Sequence, residues 1–276
     1  MLRKLLGIAA VSFLSISAAS ISQAGETLDR IKNKGVLTVG TNSDWAPQAF
    51  LNSENEMDGF DVDVARAIAK RLGVDVTFVT PGWEVMTAGR WSGRWDIVVG
   101  SMTPTAKRAE VLDFPGVYYY TPAVFAVHND FTGDKVTDLN DKTIGVTPSS
   151  TYHLYLQHEL KIDAKGVPSF EYQVTPSEIR TYGAGLSEFD DLRLGNGKRL
   201  DGILQSLPTV LSAIEKGMPI RQLGEPVFYE PLAIAVDKGD DDFNLQIASV
   251  IEELREDGTF KALSEKWYGV DYTSTK

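Results

Sequence analysis

Short β-branched and aliphatic runs alternate along the chain with stretches in which apolar residues recur every three or four positions, and this alternation predicts an α/β fold. Val36 to Thr41 (VLTVGT) reads as a first buried strand. Asp61 to Leu72 (DVDVARAIAKRL) reads as a helix, with Asp61 as its N-cap and Val64, Ile68 and Leu72 on one stripe. Val74 to Thr80 and Trp95 to Ser101 (WDIVVGS) follow as strands, and the apolar run Tyr118 to His128 is long enough to cross between two lobes. Thr143 to Thr147 (TIGVT) opens a new α/β unit, Leu200 to Gln205 and Leu232 to Val236 are further strands, and Asp241 to Glu253 and Phe260 to Tyr268 are helical. The chain shows no internal repeat and no long polar linker, so two domains would have to be joined by short strand-like crossings.

The first residues carry a different pattern. Arg3 and Lys4 precede an apolar stretch, Leu5 to Ile16, and Ser22-Gln23-Ala24 closes it with a small-x-small site. Residues 1–24 are expected to be a Sec-type signal peptide, which sends the mature chain out of the cytoplasm and, in a Gram-negative cell, into the periplasm. No later apolar run reaches the roughly 18 residues of a spanning helix. The absence of cysteine leaves no residue for a lipid anchor and none for disulfides.

Composition narrows the partners. The formal net charge is −11 over 276 residues, which argues against nucleic acid, whose phosphates call for a basic face. Catalytic and metal motifs are also missing. The histidines, His128, His153 and His158, lack metal-ligand spacing, and no G-x-S-x-G elbow or phosphate loop occurs. Gly195-Asn196-Gly197 reads as a turn. Asp240-Asp241-Asp242 lacks the alternation of a calcium loop and suits the start of a helix. No metal and no cofactor is expected, and no enzyme.

Several segments together resemble the polar amino-acid-binding proteins of ABC importers, solute-binding protein family three. They are GTNSDWAP (Gly40 to Pro47), GFDVDVA (Gly59 to Ala65), WDIVVGSMTPTAKR (Trp95 to Arg108) and LDFPGVYY (Leu112 to Tyr119). IGVTPSST (Ile144 to Thr151), EPLAIAV (Glu230 to Val236) and DGTFKALSEKWYG (Asp257 to Gly269) continue the series in the same order. The resemblance implies a periplasmic-binding-protein-like fold, two α/β lobes joined by a two-strand hinge. Lobe one would be discontinuous, residues 25–120 plus 229–276, with lobe two, hinge strands included, at 121–228. It further implies capture of a small amino acid or related carboxylate by hinge closure, delivery to an inner-membrane ABC permease, and a monomer.

Ligands in such lobes sit at the carboxyl ends of strands, where Ser101, Thr103 and Arg108 fall. By the resemblance, Arg108 grips a carboxylate with its planar fork of donors. Trp45 and Trp83 would form aromatic walls, and Asn42 would bond the ligand after the first strand. Ser150 and Thr151 match the small-hydroxyl loop of lobe two, although this chain has Ser149 where the family usually has glycine. A larger departure is Ser206, which stands where the family places an aspartate that holds the α-ammonium. A buried ammonium without a carboxylate partner is costly, so either another acid supplies the charge or the ligand has no ordinary α-ammonium. Asp44, Glu84, Glu230 and the segment Glu188-Phe189-Asp190-Asp191 are the candidates. The runner-up function is an enzyme on the same fold, a cyclohexadienyl or arogenate dehydratase, with Glu84 or Glu230 as general acid.

Overall fold

A computed structural model describes residues 25–183 and 187–274. The proposed signal peptide, 1–24, lies outside them. Among the described residues no helix is long and apolar enough to cross a membrane.

Among the described residues the strands are β1 (Val36–Gly40), β2 (Asp44–Trp45), β3 (Ala49–Leu51), β4 (Met57–Asp58), β5 (Asp75–Val79), β6 (Ile97–Met102), β7 (Leu112–His128), β8 (Thr143–Val146), β9 (Glu178–Thr181), β10 (Gly202–Ser206) and β11 (Ile220–Asp237). The helices are α1 (Glu26–Lys34), α2 (Phe60–Leu72), α3 (Trp83–Thr87), α4 (Ala106–Ala109), α5 (Thr151–Leu156), α6 (Glu188–Leu192), α7 (Leu207–Glu215), α8 (Asp241–Glu256) and α9 (Thr259–Tyr268). Eight strands form one mixed sheet in the order β5-β1-β6-β11-β7-β10-β8-β9, and β2-β3-β4 form a small second sheet.

Two long antiparallel strands organise the large sheet. β7 and β11 pair from Ile220↔His128 to Asp237↔Leu112, with a register break between Leu223 and Phe228. One half of the sheet adds β6, β1 and β5 to β11; the other adds β10, β8 and β9 to β7. Each half carries its own pair of apolar clusters, one on either face. Alternation along the strands sorts residues between them: Ile97 and Val99 belong to one cluster and Val98 to another, while Leu204 and Ile203 divide in the same way. No residue is shared between the clusters of the two halves.

α2 shows why the local sequence folds as it does. Phe60, Val64, Ile68 and Leu72 line its buried stripe, acids occupy its first turn and Lys70 and Arg71 its last, and Gly73 ends it at φ 70°. Its start differs from the sequence expectation. The N-cap is Gly59, whose φ of 125° and whose close approach to Gln48 leave no space for a Cβ; one built there would lie 2.3 Å from the Gln48 carbonyl oxygen. Asp61 therefore lies inside the helix, and its side chain turns into the protein. The acidic run before α8 behaves as expected, since the Asp240 carboxylate accepts from Phe243 N at 3.0 Å and also holds the backbone of α1 at Gly25 and Thr27.

Candidate ligand cleft

The parallel strands of both halves end at one cleft. β1 leads into Asn42, β5 into Trp83, β6 into Thr103 and Arg108, β8 into Ser150 and Thr151, and β9 into Tyr182. The cleft holds a cavity of about 500 Å³, within the range of small-molecule sites. Asn42, Trp45, Trp83, Ser101, Thr103, Arg108, Ser150 and Thr151 all line it; Ser206 does not. Of the candidate acids, Asp44, Glu84, Glu188, Asp190 and Glu230 line it as well.

Arg108 is 5 % exposed. Thr105 caps its short helix by accepting from Arg108 N at 3.2 Å. The guanidinium donates through Nη1 to the Thr103 carbonyl at 2.8 Å and through Nη2 to the Ser149 carbonyl, across the cleft, at 3.0 Å. Its Cζ lies 5.1 Å from the centre of the Trp83 ring, and Trp83 Nε1 donates to the same Ser149 carbonyl at 3.4 Å. No ion pair among the described residues includes Arg108. Burial pulls its pKa down to about 10, against the opposing charge of nearby Glu230. A buried cation hydrogen-bonded to carbonyls and not to a carboxylate is a strong attractor for an anion entering the cavity.

Ser149 explains one departure from the family pattern. Its φ is +59°, in the left-handed region that glycine enters freely. Serine adopts it here, and the resulting turn aims its carbonyl at Arg108.

Glu230 is 2 % exposed and sits beneath the same cavity. Thr103 Oγ1 donates to its Oε1 at 2.9 Å, Thr151 Oγ1 donates to the same oxygen, and Tyr152 OH donates to Oε2 at 2.6 Å. Burial raises its pKa, and the three hydroxyls and Arg108 oppose the rise. Arg108 and Glu230 thus place opposite charges side by side without forming an ion pair. Trp45 adds an indole Nε1 that is buried and has no hydrogen-bond partner among the described residues.

Several expected ligand residues have protein partners; besides Thr103 and Thr151, Ser150 Oγ donates to the Thr147 carbonyl at 2.7 Å and caps α5. Ser101 lines the cavity, but its Oγ donates to Asp61 Oδ2 at 2.7 Å and contacts the Tyr119 hydroxyl. Asp61, fully buried, also accepts from Tyr118 OH at 2.6 Å. Ser206 is 0 % exposed. Its Oγ accepts from Gln48 Nε2 at 3.2 Å and pairs with Thr209 Oγ1 at 2.8 Å, and Thr209 Oγ1 lies 3.2 Å from Gln48 Oε1. A neutral ring of side chains thus joins the two halves of the molecule. Gln205 and Tyr182 line the cavity without having been singled out in the sequence, and so does Phe189, which the sequence marks only as part of the acidic segment 188–191. Position could have flagged Gln205, which stands next to Ser206 near the end of the buried strand β10.

A cleft at the carboxyl ends of strands from two α/β halves, with charges of both signs in its floor, defines a two-lobed binding protein. The chain belongs to the bacterial extracellular solute-binding proteins, family 3, whose model matches residues 37–270. The L-cystine-binding protein of Escherichia coli strain K12 is 30 % identical over 273 residues, 98 % of this chain and 96 % of that protein. An ancestral arginine-binding protein bound to arginine has a similar structure, with a TM-score of 0.72 and 29 % identity over 85 % of this chain and 99 % of that one. An ancestral amino acid-binding protein described as a precursor of cyclohexadienyl dehydratase gives a TM-score of 0.74 and 28 % identity, covering 88 % of this chain and 99 % of that one.

Proposed function

We propose that this protein is the periplasmic substrate-binding component of an ABC importer for an amino acid. The observation that carries this reading is the buried guanidinium of Arg108, which faces the cavity without a carboxylate partner. The ligand α-carboxylate takes that partner's place, aided by the loop of Ser150 and Thr151. Glu230, beside Arg108 and already oriented by three hydroxyls, supplies the charge for the α-ammonium. It replaces the aspartate that Ser206 lacks. Trp45, with its free indole N–H, and Trp83 wall the side chain, and Asn42 adds a polar contact.

The lobes are residues 25–120 with 229–276, and 121–228, turning about β7 and β11. Closure must be driven by contacts that only the closed form makes. Arg108 and Ser149, on opposite sides of the cleft, are where such contacts arise. The protein is exported by cleavage after Ala24, works as a monomer, hands its ligand to an inner-membrane permease, and performs no chemistry on it. Both relatives named for an amino acid, cystine or arginine, support the ligand class.

A thermal-shift screen of the mature protein against the proteinogenic amino acids, cystine and small carboxylates tests this. A ligand at about 100 times its Kd adds roughly 2.7 kcal/mol and raises Tm accordingly. Stabilisation by amino acids, and not by their amines, is the expected result; indifference to the whole amino-acid set would overturn the reading. Incubation with prephenate or arogenate should yield no aromatic product.

A further inference from the structure

The cavity does not end at Arg108. α5 packs in the apolar cluster on one face of the second half-sheet, through Tyr152, Tyr155 and Leu156. α6 packs in the cluster on the opposite face, through Phe189 and Leu192. On β10, Ile203 joins the α6 face and Leu204 the α5 face. Gln205 therefore falls on the α6 side. The cavity runs over the strand ends onto that side, where Tyr182, Glu188, Phe189, Gln205, Ala213 and Met218 line it.

Glu188 is the chemically unresolved group there. It is 5 % exposed and lines the cavity. Gln205 Nε2 donates to its Oε1 at 3.1 Å, and Gln205 is itself held by Ser206 N, which donates to Gln205 Oε1 at 2.8 Å. No ion pair among the described residues includes Glu188. Its own backbone N–H and the Gln205 amide donate to it, but no cation neutralises its charge among the described ion pairs, and a buried carboxylate without a counter-charge is costly. Lys216 also lines the cavity but makes no ion pair with Glu188, while Asp44 adds a second negative charge; burial, and then that charge, push the Glu188 carboxyl up. A cation beside the carboxylate opposes both effects.

We propose that Glu188, oriented by Gln205, takes a cationic group at the far end of the ligand, so that the ligand is a long basic amino acid whose α-carboxylate lies at Arg108. This rests on the amino-acid reading above and adds the side-chain class. The opposite faces of the sheet set the separation: an α-ammonium two bonds from the carboxylate belongs beside Arg108 and Glu230, whereas Glu188 is reached by a side-chain tip. The aromatic and aliphatic walls of the cavity, Phe189 and Ala213 among them, suit the methylene stem of such a side chain.

The test is calorimetry on the mature protein with L-arginine and L-citrulline, equal in length but with a charged and a neutral tip. Wild type should prefer arginine by on the order of 10- to 100-fold, the size of a charge-assisted hydrogen bond. Glu188→Gln, nearly isosteric, should abolish that preference with circular dichroism native. Glu188→Asp should keep part of it. Equal binding of both ligands to wild type, or a preference that survives Glu188→Gln, overturns the proposal. If neither ligand binds but shorter neutral amino acids do, the basic side chain is refuted and the amino-acid reading stands. If no amino acid binds, both fall.

Discussion

Gln48 Nε2 donates to Ser206 Oγ at 3.2 Å, across the boundary between the two halves of the molecule. Thr209 completes the ring, and all three residues are buried. An aspartate at position 206 would face Gln48 and not a charge; serine makes the contact neutral and complete. Gln48→Ala leaves two buried hydroxyls with one partner fewer, which costs about 1–3 kcal/mol. The expected outcome is a lower Tm and, without ligand, a larger radius of gyration by small-angle scattering. Wild-type values of both would show that the ring holds nothing shut.

Ser149 offers a test of backbone strain. Its positive φ costs a non-glycine residue on the order of 1 kcal/mol. Glycine removes that strain and loses a comparable amount through the unfolded chain. Ser149→Gly should therefore leave Tm about unchanged, whereas Ser149→Val, β-branched at positive φ, should lower it and weaken ligand binding by turning the carbonyl away from Arg108. Melting curves and calorimetry on the two variants check this. Equal behaviour of Gly and Val would contradict it.

Asp61 predicts a pH dependence of stability. Burial raises its carboxyl from the ordinary 3.8 to about 7, in spite of the donors Tyr118 and Ser101. Between those values the folded chain binds a proton that the unfolded chain has released. Its contribution to stability is complete below the ordinary carboxylate pKa and is lost as pH rises through about 7, by an amount on the order of a few kcal/mol. Asp61→Asn cannot titrate, so the difference in unfolding free energy between wild type and variant should change across this window and be flat below it. Denaturant melts of both proteins from pH 4 to 8 measure it; parallel curves throughout would refute it.

Much of this architecture was legible before any coordinates. Val36–Gly40, Thr143–Val146 and Gly202–Ser206 are β-branched or aliphatic runs that announce buried strands, and α8 and α9 fall where the periodicity put them. β7 was only partly visible: Pro115 and Gly116 break the pattern at one end, yet its pairing with β11 carries the strand from Leu112 to His128. Tertiary pairing there overrides local preference. The site followed the same rule. Arg108, Trp83 and Thr151 stand at strand ends that spacing and resemblance both mark. The partner of each side chain was not readable. Asp61 looked like a cap because it opens a helix, and Gly59 displaces it inward. Ser206 looked like a ligand contact, and Gln48, 158 positions away, occupies its hydroxyl instead.

In the proposed function Arg108 holds the ligand carboxylate, and calorimetry on matched ligands decides whether it does. The tightest amino acid from the screen is titrated into wild type, Arg108→Lys and Arg108→Ala, and its decarboxylated amine into wild type. Loss of a charged partner in a desolvated site costs about 2–5 kcal/mol. The amine should bind wild type weaker by that amount, Arg108→Ala should lose the amino acid to the same extent, and Arg108→Lys should lose part of it with the bidentate fork. An amine that binds as tightly as its parent amino acid, or an Arg108→Ala protein that keeps wild-type affinity, would contradict it.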